Sequence, residues 1–86
     1  MVNYFALLWN QIEIMNQMVE VFKTNVAEVQ EATKLVALLL QHFPTNKINF
    51  DLHDCDKILR MEGQNVMVEK VMMLVEKNGF ECSVLE

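Results

Sequence analysis

The chain has few of the residues that break or crosslink a backbone. It holds two glycines (Gly63 and Gly79), one proline (Pro44) and two cysteines (Cys55 and Cys82). So little glycine and proline beside 52% apolar residues excludes a low-complexity or disordered chain. The cysteines form no CxxC pair, which excludes a zinc ribbon and a dithiol redox motif. Two distant thiols make no disulfide framework, so a reducing, cytoplasmic setting is expected. Basic residues are scarce as well. Seven Lys and Arg against twelve Asp and Glu leave a formal charge of −5. That balance argues against nucleic-acid phosphates as a partner and against an anionic membrane surface.

A long apolar run is also missing. The first 17 residues, MVNYFALLWNQIEIMNQ, are continuously apolar only from Tyr4 to Trp9, and no Lys or Arg precedes Lys23. A signal peptide calls for a basic start and a longer apolar stretch, and a membrane-spanning helix for about 20 apolar residues. Neither is expected. On a helical wheel Tyr4, Phe5, Leu8, Trp9, Ile12 and Met15 share one side, while Leu7 and Ile14 fall elsewhere. Residues 1–17 therefore read as a weakly amphipathic helical extension that needs a surface to cover. Residues 18–86 read as one small domain. A chain of this size buries only about 60% of its unfolded surface, so its core must be efficient.

Within that domain the periodicity alternates between strand and helix. Met18 to Thr24, MVEVFKT, alternates with β-branched and aromatic residues and reads as a strand. Asn25 and Glu28 have the spacing of a capping box. Val29, Ala32, Val36, Leu39, Leu40 and Phe43 then follow a helical period, with His42 in the last turn and Pro44 as the stop. Lys47 to Leu52 and Lys57 to Glu62 read as two strands joined by HDCD, residues 53–56, as a hairpin loop. Val68, Val71, Met72 and Val75 mark a second helix that ends at Gly79, a left-handed cap. Phe80 to Leu85 reads as a last strand with Phe80, Cys82 and Val84 inward.

The order β-α-β-β-α-β, with two helices that each need a sheet to cover, points to an α+β sandwich of the ferredoxin-like kind. The expected sheet is antiparallel in the order 4-1-3-2, with both helices on one face. Its open face is expected to carry Glu20, Phe22, Thr24, Asn49, Asp51, Ile58, Arg60, Glu62, Glu81 and Ser83. Such a face suits solvent; it also suits the N-terminal helix, an unknown protein partner or a second copy, as in a homodimer.

The segments VEVFKTNVAEVQEATKLVALLL, INFDL and VEKVMMLVEKNGFECSVL resemble the heavy-metal-associated (HMA) domain, the family of copper chaperones and of modules of metal-transporting ATPases. The resemblance covers about residues 18–86 and is most specific at VEKNGFECSVL. It implies the same ferredoxin-like fold. The family holds soft metal ions in a Gly-Met-x-Cys-x-x-Cys loop between the first strand and the first helix. Here that loop reads TNVAEVQEA. Asn25 and Val26 stand in place of Gly-Met, and Glu28 and Glu31 near the two cysteines. Two thiolates suit Cu(I) or Zn(II), and two carboxylates do not hold Cu(I). Acids in a first helical turn meet free N–H groups and the helix dipole instead. The expectation is a variant that lacks the CxxC metal motif.

The other candidate chemistry lies in DLHDCD. In this topology His53, Asp54, Cys55 and Asp56 share one end of the sheet with Glu28 and Asn78; His53, Asp54, Cys55, Asp56 and Glu28 are the alternative metal site, for a hard or borderline ion. The competing reading is a solvated turn whose aspartates bond their own backbone. Cys82 reads as a small buried hydrophobe. It is out of reach of Cys55, since three strand spacings of about 4.8 Å exceed the roughly 7 Å limit for bridged α-carbons. The seven methionines read mostly as core fillers on the helices. No Ser-His-Asp or Cys-His set, phosphate loop or tuned acid pair can be assembled, so no catalytic residue and no cofactor is expected. The functional expectation is a non-enzymatic interaction module. The alternative is a metal-chaperone-like protein using the His53–Cys55 loop end.

Overall fold

In a computed structural model of the chain, residues 17–86 are described. The expected N-terminal helix lies outside the described residues apart from Gln17, which is exposed. The elements are β1 (Met18–Thr24), α1 (Val29–His42), β2 (Lys47–Asp51), β3 (Ile58–Gly63), α2 (Val68–Lys77) and β4 (Cys82–Val84). The strands form one sheet in the order β2-β3-β1-β4, which counted from the opposite edge is 4-1-3-2. Every neighbouring pair is antiparallel. The architecture is α+β, with an open four-stranded sheet.

The main core joins Phe22, Ile48, Leu59, Met61 and Cys82 of the sheet to Leu39, Phe43, Val71, Leu74 and Val75. Both helices thus cover the same sheet face. Phe22, Leu39, Leu59, Met61, Val71 and Val75 are fully buried, and each such side chain contributes about 1.5–3 kcal/mol relative to exposure. A smaller core of Val26, Ala32 and Leu35, with Phe50, Leu52 and Phe80 against it, closes the end where β1 hands over to α1.

The structure corrects the sequence reading in several places. β1 has the opposite facing to the one expected: Phe22 and Thr24 point into the core, and Val19, Val21 and Lys23 point out. One residue of slip flips a whole strand. Here the larger Phe22 side chain decides the facing over the two valines, and the buried Thr24 is made tolerable by its hydrogen bonds. The helix α1 starts at Val29, not after Asn25, and its capping residue Glu28 makes no side-chain capping bond. Its buried stripe is Ala32, Leu35, Leu39 and Phe43, while Val29 is 71% and Leu40 39% exposed. In α2 it is Leu74, rather than Val68 or Met72, that joins Val71 and Val75 in the buried set. Of the described methionines only Met61 is buried, and it lies on a strand, whereas Met18, Met67 and Met73 are exposed.

Both glycines are placed where a side chain is disfavoured. Gly79 (φ +93°) ends α2, donating to the Glu76 carbonyl at 3.0 Å, as a left-handed cap does. Gly63 (φ +151°) ends β3 against Asn46, and a Cβ there would lie 2.9 Å from Asn46 Oδ1.

Candidate functional site

The end of the sheet where the resemblance places a metal loop is tied together by hydrogen bonds from three connections. The segment Asn25–Glu28 leaves β1 without entering the helix. Val26 inside it is fully buried, and its N–H donates to Thr24 Oγ1 at 3.2 Å. The same hydroxyl donates to the Lys57 carbonyl, and the Thr24 N–H donates to the Asp56 carbonyl at 3.0 Å. β1 is thereby fastened to the β2–β3 loop. Asn25 fastens it to the third connection, since Asn25 Oδ1 accepts the Glu81 N–H at 2.8 Å. The Asn25 side chain therefore serves a junction between loops, not the helix start expected of it.

The β2–β3 loop is longer than HDCD. With Asp51 paired to Ile58, it runs from Leu52 to Lys57. Asp51 Oδ1 accepts the His53 N–H at 3.1 Å, and Asp54 Oδ1 accepts the Asp56 N–H at 2.9 Å. Lys57, with φ +46°, donates its N–H to the Asp54 carbonyl at 3.0 Å and its ammonium to the Leu52 carbonyl at 2.9 Å. These are aspartate-driven turns.

Of the five candidate metal ligands, the structure gathers Asp54, Cys55 and Asp56, whose donor atoms lie within 4.8 Å of one another. His53 and Glu28 stand outside that cluster. Asp56 lies 3.7 Å from the Lys23 ammonium, so a cation already faces it. Cys55 is an exposed free thiol, and Cys82 is a buried one. Burial, with the Glu76 charge adding to it, pushes the Cys82 thiol up from 9.0 to about 12. A thiol so reluctant to ionise is a poor nucleophile and a poor ligand.

Two surfaces remain. The strand register places Val19, Val21, Lys23, Asn49, Asp51, Ile58, Arg60, Glu62 and Ser83 on the face away from the helices. Arg60 and Glu62 pair there at 3.0 Å. The corrected β1 gives this face a central pair of valines in place of Glu20, Phe22 and Thr24. The second surface is an open groove of about 470 Å³ between α1 and β2, with Val29, Val36, Ile48, Phe50 and Leu52 among its lining. Sequence reasoning did not find it, although Val29, Thr33, Val36 and Leu40 are spaced as a single helix stripe.

No family model, curated protein or solved structure matches this chain. Among the described residues no helix is long and apolar enough to cross a membrane.

Proposed function

We propose that this chain is a small non-enzymatic interaction module on an HMA-like, ferredoxin-like scaffold, without the thiolate pair and acting through its sheet surface. The observation that carries this reading is the crossing from β1 to α1. Its side chains are committed to structure: Val26 to the small core, Thr24 and Asn25 to hydrogen bonds with neighbouring connections. Neither cysteine belongs to it. Cys55 is in the β2–β3 loop and Cys82 in β4. The open face, with Val19 and Val21 between Arg60, Glu62 and Lys23, has the mixed character of a protein-binding surface. A reducing cytoplasmic setting suits two free thiols.

The gathering of Asp54, Cys55 and Asp56 favours one second reading, a metal site in the β2–β3 loop for a borderline divalent ion. Titration with Zn(II), Ni(II) and Cu(I), followed by native mass spectrometry, separates the two. The interaction reading expects no stoichiometric metal on the wild-type chain. Metal retained by the wild type and lost in Cys55→Ser would replace it with the second reading.

A further inference from the structure

Among the described residues β2 is an edge of the sheet, bonded to β3 alone. It is a five-residue edge, whereas the opposite edge, β4, has three residues. Short edges are one way in which proteins avoid unwanted strand pairing, and β2 lacks that protection. Its sequence, Lys47-Ile48-Asn49-Phe50-Asp51, is complementary to itself when run antiparallel. Laid against a second copy about Asn49, Lys47 meets Asp51 of the copy, Asn49 meets Asn49, and Ile48 meets Phe50. The facing is consistent as well. Lys47, Asn49 and Asp51 are exposed, and Ile48 and Phe50 turn toward the helix layer.

Among the described residues the helix layer is also incomplete on this side. Val29, Thr33 and Val36 line the groove beside β2, and Leu40 continues their stripe one turn on. Val29 and Leu40 are among the exposed large hydrophobic residues. A strand edge left open among the described residues, beside an exposed apolar stripe, is where strand addition gains both hydrogen bonds and buried surface.

We propose that two copies of this chain associate through β2, pairing antiparallel about a two-fold axis at Asn49. The sheet then continues across the axis as eight strands, and the two α1 stripes cover each other's grooves. Such a contact is isologous and closes on itself, so it stops at a dimer. The occupant is a second copy because the Lys47–Asp51 complementarity is satisfied twice by this chain's own sequence. This contact does not depend on whether the crossing loop holds a metal.

Sedimentation of the full chain over a concentration series tests it. The wild type sediments as a dimer that dissociates on dilution. Lys47→Asp, which sets like charges opposite each other at both ends of the pair, raises the dissociation constant at least about tenfold. The double variant Lys47→Asp/Asp51→Lys brings it back. In a Cys55→Ser background, mild oxidation crosslinks Asn49→Cys, whose symmetry-related α-carbons lie roughly 4.5–5.5 Å apart. Lys47→Cys does not crosslink, because its two copies are displaced by about 14 Å along the strands. The proposal is overturned by a wild-type monomer throughout the series, by a double variant no tighter than the single, or by equal crosslinking at both positions. A monomer with outward β2 amides protected from hydrogen exchange would also overturn it, assigning the edge to residues 1–16.

Discussion

The two ends of the sheet are built differently. At the end holding the β1–α1 crossing, polar groups are used in pairs. Thr24 serves both Val26 and Lys57, Asn25 serves Glu81, and Asp51 and Asp54 serve their own loop. At the other end Asn46 is packed against Gly63, and its buried Oδ1 has no hydrogen-bond partner among the described residues. The contrast is instructive because the resemblance puts a metal at the first end. The β1–α1 crossing at that end is closed by its own hydrogen bonds, whereas the unsatisfied group lies at the other end.

The contrast can be broken by substitution. Gly63→Ala should have the largest effect, about 3 kcal/mol of lost stability, because it combines a disfavoured φ with a Cβ pressed onto Asn46. Chemical denaturation measures it, and the addition of Asn46→Ala should recover part of the loss. Equal loss in the single and double variants would show that backbone strain alone is at work. Thr24→Val should cost about 2 kcal/mol, since it strands the buried Val26 N–H and the part-buried Lys57 carbonyl. A cost near zero would mean that the loop junction does not hold this end together.

A pH-dependent effect comes from Cys82, paired with Thr24 across β1 and β4. Its folded thiol ionises near 12, against an ordinary 9.0. Its contribution is therefore fully present below pH 9 and is lost as pH rises from 9 toward 12, where the unfolded chain has released a proton that the folded chain keeps. Denaturation midpoints measured between pH 8 and about 11 should fall accordingly, and Cys82→Val should flatten the decline.

How legible all this was depended on the kind of signal. Strand and helix periods located every described element to within a few residues, because period 2 and period 3.6 are set by burial on one face. Pro44 and Gly79 marked the ends of α1 and α2 correctly, each for a local backbone reason. The facing of β1 was misread because Val19 and Val21 alternate as well as Phe22 and Thr24 do, and only packing against Leu39 and Val75 decides between them. The Asn25 capping box failed for a related reason. Its spacing was right, but burial of Val26 keeps residues 25–28 out of the helix, and the partner of Asn25 is 56 residues away in sequence. In the candidate metal set, the turn closed by Asp54 on Asp56 brings Asp54, Cys55 and Asp56 together, while His53, although next in the chain, and Glu28 are left out by loop geometry that no spacing encodes.

The proposed HMA-like scaffold would carry acids where the family has its sulfur pair, and restoring that pair tests the proposal most directly. Glu28 caps α1 without a side-chain capping bond, and Glu31 lies in its first turn, so Glu28→Cys/Glu31→Cys recreates a CxxC at the crossing. The account predicts that this double variant, in a Cys55→Ser background, retains one Cu(I) per chain in native mass spectrometry while the wild type retains none. A double variant that folds yet holds no Cu(I), or a wild-type chain that retains the ion without the added thiols, would contradict it.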